Sequence, residues 1–228
     1  MTHPGWTAVI WDLDGTIVDS GAEITQRFTR TLEILGWPVP APEVLASLIG
    51  PPVATGFIEV LGMPAELAAE GQRVMRSLVD LAHIAETSTP FSGVLELMAE
   101  IHAAGVPQAV ASSKGQQLVD AIADHLGLLP LLGACVGADE AVGRATKESV
   151  IAEALAQLTA QGADLSRTVM VGDRVHDIIG AAAHGIPTVL VAWGYDHVED
   201  DTAGAIAHAE TAQELRELLL GRPVPTGV

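Results

Sequence analysis

The sequence predicts an α/β protein in which a doubly wound parallel sheet carries a small helical domain inserted after its first strand. Three observations carry that prediction. A short apolar run, TAVIWDL at 7–13, ends in the turn signal DGT. Helical periodicity then continues to about residue 85, with no strand pattern in that stretch. From Pro90 onward, apolar runs of strand length alternate with helical patterns, the spacing that builds a Rossmann-like sheet covered on both faces.

Each element follows in order. Residues 7–13 combine β-branched and apolar side chains over one strand's length, as a strand buried on both faces requires. Ser20 and Glu23 stand at capping-box spacing, and Ile24, Phe28, Leu32 and Leu35 recur behind them at helical intervals. GWPVPAP at 36–42, IGPP at 49–52 and LGMP at 61–64 break this pattern into about four helices. The helical unit therefore spans 18–85, a cap domain between two parts of the core, 1–17 and 86–228. In the core, Val94, Leu97, Met98 and Ile101 mark a helix that closes at Gly105. VPQAVASS (106–113) reads as a strand, Leu118, Ile122 and Leu126 as a helix, and GACVG (133–137) as a short strand. Val150, Ile151, Leu155 and Leu158 mark the next helix. TVMVG (168–172), a helix over 177–184 and the strand PTVLVAW (187–193) follow, and Thr211 with Glu214 caps a last helix. Ligands of such sheets bind beyond the carboxyl ends of the strands, which is where the inserted helices sit.

Composition excludes several classes of function. The chain has 228 residues, 49% of them hydrophobic, so it is globular. Its net charge of −18, from 29 acidic against 11 basic residues, repels nucleic-acid backbones and anionic lipid. No apolar run is long enough for a bilayer and MTHPGW carries no signal pattern, so a cytoplasmic location is the expectation. The single Cys135 cannot form an internal disulfide and lies in an apolar run, as an inert core thiol does. Scattered histidines without metal-ligand spacing argue against zinc. Monomer and homodimer both stay open.

Four places carry reactive groups at or beside predicted strand ends. They are Asp12-Leu13-Asp14-Gly15-Thr16, Ser112-Ser113-Lys114, Lys147 before a helix, and Gly172-Asp173 with Asp177 four residues on. Only two lysines occur among eleven cations, and both fall in this set. Cleaving a phosphate ester through a covalent intermediate needs a nucleophile that is ionised at neutral pH, which a carboxylate provides. A second carboxyl two residues on can protonate the leaving oxygen and later activate water. Attack of an anion on an anion needs cations to offset the repulsion, which suits a hard divalent ion such as Mg²⁺ held by carboxylates, with a lysine and hydroxyl donors on the remaining oxygens.

The order DLDGT, strand–Ser, Lys, GDxxxD resembles the haloacid dehalogenase-like (HAD) hydrolase superfamily, and the helical insert resembles its C1-type cap. VGDRVHDIIGA and VAWGY look most like the phosphoglycolate-phosphatase-like branch. The resemblance implies a Mg²⁺-dependent phosphatase acting on a small phosphate ester through an aspartyl-phosphate. It makes Asp12 the nucleophile and a metal ligand. Asp14 would be the general acid/base and coordinate metal through its backbone carbonyl. Ser112 would bind the phosphoryl group, Ser113 would add its amide, and Lys147 would neutralise the developing charge. Asp173 would ligate Mg²⁺, with Asp177 in support. Gly50 and Pro51 fall where such caps present specificity loops, and they also fit a plain helix-breaking turn. Glu148 stands where many relatives have proline, and FSG at 91–93 replaces the branch's usual YPG.

The remaining residues near these motifs read more simply. Lys114 fits a phosphate-site position and a helix-opening surface role equally well. Arg144, Arg174 and His176 are expected to be exposed or structurally paired. Two other readings of the chain compete with hydrolysis. A phosphomutase must hold a bisphosphate, and the loop IGPPVATG has no cation for it. A silent binding module on the same fold would have no need of the complete reactive set. A dehalogenase would not need Asp14 and Asp173, and a phosphonate hydrolase would need a cap lysine that is absent.

Overall fold

The computed structural model describes residues 5–50, 52–195 and 204–221. In chain order its strands are β1 (Ala8–Trp11), β2 (Val18–Asp19), β3 (Thr89–Pro90), β4 (Gln108–Gly115), β5 (Ala134–Ala138), β6 (Thr168–Gly172), β7 (Thr188–Val191) and β8 (Ala205–Ala209). Six of them form one parallel sheet in the order β5-β4-β1-β6-β7-β8. The chain winds outward from β1 in both directions, so β1 is the switch point and its carboxyl end opens into the crevice where such sheets bind ligands.

Alternation along the strands sorts the core into two layers. Val9 and Trp11 of β1 pack with helices α6 (Val94–Ala103), α7 (Gln116–His125) and α10 (Ala212–Leu220). Ala8 and Ile10 face the other way, onto α8 (Lys147–Ala160) and α9 (Val175–Ala182). Opposite orientation of successive side chains is what a strand imposes, and apolar residues at every position let it bury both faces.

The insert has its own core. Helices α1 (Gly21–Leu35), α2 (Pro42–Ser47), α3 (Val53–Thr55, continued by a π turn over Gly56–Val60) and α4 (Ala65–Ser77) enclose Ile24, Phe28, Leu32, Leu48, Phe57 and Met75. The rings of Phe28 and Phe57 meet edge-on at 5.3 Å. Helix α5 (Leu81–Thr87) differs: its Ile84 joins the core cluster around β1, and it packs on α7.

The structure departs from the sequence reading in three places. Strand β8 arises from AIAHA, which is too poor in β-branched residues to announce itself. The stretch read as free of strands holds one at its start: β2 pairs antiparallel with β3 where the chain crosses between core and insert, Val18 with Pro90 and Asp19 with Thr89. The capping box at Ser20 does not form: Ser20 Oγ donates to Asp14 Oδ1 instead, and Glu23 pairs with Arg27 at 3.2 Å. The rotamer that points the hydroxyl at the buried carboxylate makes no bond to a helix amide. Elsewhere the expected caps hold, with Thr211 accepting from the Glu214 amide at 3.1 Å.

Candidate active site

Two strand ends and the first turn of a helix deliver the acidic residues to one point. Asp12 follows β1 directly and its amide donates to the carbonyl of Val171 on β6 at 2.9 Å. Asp173 follows β6, and Asp177 stands one turn into α9. The GDxxxD spacing has a local cause: Asp177 Oδ2 accepts from the amides of Asp173 (3.1 Å) and Arg174 (3.0 Å), closing the turn between strand and helix. Carboxylate oxygens of Asp12, Asp173 and Asp177 all lie within 4.8 Å of one another, and all three residues are buried.

Lys147 opens α8, behind a capping box formed by Thr146 and Ser149. Its Nζ sits 2.6 Å from Asp12 Oδ1 and 2.7 Å from Asp177 Oδ1. Gly180 makes room for it, since a Cβ there would fall 2.7 Å from the Lys147 Cγ. On the other side of Asp12, Lys114 reaches Asp14 Oδ1 at 3.1 Å, the oxygen that also accepts from Ser20. Both lysines are thus buried partners of the acidic motif.

The charges are out of balance. Burial pushes the Asp12 carboxyl up to about 6, with Lys147 pulling it down and Asp177 and Asp14 adding to the rise. Asp173 is held well above its ordinary value, first by burial and then by Asp177 and Asp12. Burial works against the charge on Lys147, yet the carboxylates of Asp12 and Asp177 outweigh it and raise its pKa. A site with three clustered carboxylates and one lysine between two of them is short of positive charge.

The atoms also leave a place for a cation. Asp173 Oδ2 accepts from the Tyr195 amide at 2.8 Å and faces Arg174 Nε at 3.8 Å, whereas its Oδ1 is buried with no hydrogen-bond partner among the described residues. Backbone approaches this carboxylate so closely that a Cβ at Gly15 or at Gly194 would collide with it. Both oxygens of Asp177 are already occupied, by Lys147 and by two amides. Unsatisfied, all-oxygen donors of this kind suit a hard divalent ion.

A cavity of about 670 Å³ lies between the cap and this floor. Asp12, Asp14, Ser112, Ser113 and Lys114 line its base, and Ile24, Phe28, Leu48 and Met75 line its roof. Ser112 is buried and its Oγ accepts from the Lys114 amide at 3.2 Å. Gly50 borders the cavity with φ +97, and a Cβ there would lie 2.6 Å from Arg174 Cδ, so this cap loop rests on the core. Pro51 lies outside the described residues.

Sequence reasoning missed several of these partners. Lys114, open between two roles, is buried against Asp14. Arg174 is structurally paired, one of the two expected outcomes, and is buried near Asp173 and over the Tyr195 ring at 5.9 Å. His176 is exposed, and Arg144 bonds the Gly137 carbonyl and Gln116 away from the acidic cluster. Cations also reach the cavity from the cap, though not from its 50–56 loop: Arg27 of α1 and Arg76 of α4 both line it. The signal for Arg27 was its place between Ile24 and Phe28 on the apolar face of α1. Arg76 meets Glu140 at 3.5 Å across the cap–core boundary. Cys135 is half-buried, and burial pushes its thiol up to about 12, so it stays neutral.

Comparison with known proteins identifies the family and the fold. The family model described as haloacid dehalogenase-like hydrolase matches residues 9–191. The tyrosine-protein kinase PtkA of Mycobacterium tuberculosis is 39% identical over 92% of this chain and 72% of its own length. Its solved structure superposes with a TM-score of 0.76 over 95% of this chain and 99% of that one, at 37% identity. A phosphoglycolate phosphatase of Caulobacter vibrioides is 34% identical over 86% of this chain and 84% of its own. The crystal structure of a predicted phosphatase from Clostridium acetobutylicum matches with a TM-score of 0.85, covering 95% and 99% of the two chains at 28% identity.

Proposed function

The chain belongs to the haloacid dehalogenase-like hydrolase family, and on that premise we propose that it is a Mg²⁺-dependent phosphatase of small phosphate monoesters that works through an aspartyl-phosphate on Asp12. The observation that carries this reading is the buried cluster of Asp12, Asp173 and Asp177, bridged by Lys147, whose Asp12 lines the base of the cavity.

Asp12 and Asp173 would hold the ion, with the Asp14 carbonyl as a further oxygen ligand. Asp177, its oxygens taken, would instead hold Lys147 and the turn after β6. Bound there, Mg²⁺ would neutralise the carboxylates and the phosphoryl oxygens and so lower the repulsion against attack.

The chain's own residues do the rest. Asp12 forms the new O–P bond while the ester P–O bond breaks and the leaving oxygen takes the bonding pair. Asp14, two residues on, supplies that oxygen with a proton and then takes one from the water that attacks the aspartyl-phosphate. Its Oδ1 is held by Lys114 and Ser20, which leaves Oδ2 for this transfer. Lys147, at Asp12, and the Ser112 hydroxyl, in the base of the same cavity, would bind phosphoryl oxygens. The cap roof excludes water and reads the leaving group.

The cavity is larger than a glycolate leaving group needs and is mostly apolar above its floor, with Arg27 set in the wall. Nucleoside monophosphates, sugar phosphates and phosphoglycolate are the substrate class, and the 5'-nucleotidase of Pseudomonas aeruginosa, 28% identical over 88% of this chain, supports including nucleotides. A second reading rests on the tyrosine-protein kinase among the relatives: the phosphoryl group on Asp12 would pass to a hydroxyl acceptor instead of water. One experiment separates them. Purified protein with Mg²⁺ is offered a panel of phosphate monoesters and, separately, labelled ATP with tyrosine-containing acceptor protein. Release of inorganic phosphate from the esters, abolished by EDTA and by Asp12→Asn, supports hydrolysis. Label on acceptor tyrosine with no release from any ester would replace it with the kinase reading.

A further inference from the structure

The loop after β7 contains Trp193, Gly194 and Tyr195, and none of these belongs to the reactive set above. Tyr195 nevertheless touches three parts of the site. Its backbone amide donates to Asp173 Oδ2 at 2.8 Å. Its hydroxyl accepts from the Ser20 amide at 2.7 Å and donates to Asp19 Oδ1 at 2.8 Å. Its ring packs into the cap cluster, close enough to α1 that a Cβ at Gly21 would fall 2.9 Å from Cε1. Two residues earlier, Trp193 Nε1 donates to the Thr16 carbonyl at 3.2 Å, so one loop clamps the whole segment after β1.

Ser20 is the link that gives this clamp a chemical consequence. It is buried, it does not cap α1, and its Oγ is spent on Asp14 Oδ1. A hydroxyl can hold a carboxyl in one rotamer only if its own backbone is fixed, and the Tyr195 hydroxyl fixes it. We propose that Tyr195 is a positioning residue for proton transfer at Asp14, acting through Ser20 while its amide fixes the metal-site carboxylate of Asp173. One residue then sets the register between the nucleophile's metal site and the proton donor.

The proposal rests on the phosphatase reading. In the step it concerns, the leaving oxygen receives the bonding pair of the breaking P–O bond and the proton of Asp14, as Asp12 forms the new O–P bond. A leaving group that departs readily as an anion, such as p-nitrophenolate, has little need of that proton, whereas an alkoxide needs it.

The test compares wild type, Tyr195→Phe and Ser20→Ala on a series of phosphate monoesters from p-nitrophenyl to alkyl, reading kcat/KM with saturating Mg²⁺. Phenylalanine keeps the ring and its packing. The expected result is a loss of about tenfold or more on alkyl esters, part of what a general acid contributes, with a change of less than about twofold on p-nitrophenyl phosphate. Ser20→Ala should steepen the leaving-group dependence in the same way, and the double variant should be no steeper than Ser20→Ala alone. An equal loss across the series in Tyr195→Phe, or none at all, overturns the proposal and leaves Tyr195 a packing residue. Wild type that releases phosphate from no ester overturns the phosphatase reading and this inference with it.

Discussion

Replacing Asp12 by asparagine should cripple turnover and yet stabilise the metal-free protein. The side chain keeps its shape, so packing around it is unchanged, while the buried negative charge disappears. Burial, Asp177 and Asp14 raise its carboxyl from 3.8 to about 6 against the pull of Lys147. Below the lower value the group is protonated folded and unfolded alike and costs nothing. Between the two values the folded chain binds the extra proton, so stability falls as pH rises, and above about 6 the whole cost is present. Roughly two units at about 1.4 kcal/mol each come to about 3 kcal/mol.

That figure is a ceiling, because asparagine gives Lys147 a weaker acceptor than the carboxylate at 2.6 Å, although Asp177 remains at 2.7 Å. One kcal/mol moves the Tm of a chain this size by about 2–4 °C, so a rise of up to about 10 °C is expected. The assay is thermal unfolding in EDTA at about pH 8 and about pH 5, where the gap between Asp12→Asn and wild type should shrink at the lower value as the native carboxylate takes up its proton. Phosphatase activity of the variant should fall by about a thousandfold or more. A variant that melts at or below wild type at the higher pH would show that the clustered carboxylates do not destabilise the empty site. A variant that retains near wild-type turnover would remove Asp12 as nucleophile.

Three further outcomes follow from the same geometry. Mg²⁺ should raise the Tm of wild type, and its apparent affinity should tighten as pH climbs through about 6, because the proton on Asp12 competes with the ion; titrations that show no pH dependence there would count against Asp12 as a ligand. Lys147→Met removes the cation between Asp12 and Asp177, and should cost about 3–5 kcal/mol in EDTA as well as most activity, read by denaturant unfolding and phosphate release; a variant as stable as wild type would mean those carboxylates are not both ionised. Gly50→Ala must place a Cβ at φ +97 and 2.6 Å from Arg174 Cδ, so kcat/KM should change unequally across a panel of phosphate esters, and a uniform change would make the loop a structural turn.

How much of this the sequence could disclose depended on whether the cause was local. Asp12, Asp14, Asp173 and Asp177 were legible because each follows an apolar strand by a fixed, short step, and strand ends in such a sheet converge on one crevice. Lys147 was legible by scarcity, in a chain whose surface cations are otherwise arginine. Several partners that tune these groups were not legible, because their contacts form only when separate segments are packed together. Lys114 meets Asp14 only once β4 lies beside β1. Arg174 is buried near the Asp173 carboxylate and over the Tyr195 ring, which a loop some twenty residues further on brings to it.

The segment after β1 shows the same limit most plainly, and it ties the fold to the chemistry. Ser20 and Glu23 had the spacing of a capping box, a sound local inference, and the folded chain uses neither residue that way. Tertiary structure offered Ser20 a buried carboxylate and gave Glu23 an arginine one turn on. The start of α1 is therefore held by Asp19, which accepts from the Gly21 amide, and by Tyr195, from a loop some 175 residues away in sequence. That exchange costs the helix a local bond and binds the cap's first turn to the proton donor and to the metal-site carboxylate. The β2–β3 pair and the Tyr195 hydroxyl both hold the chain at Ser20, so the start of the cap and the carboxyl of Asp14 share one set of anchors.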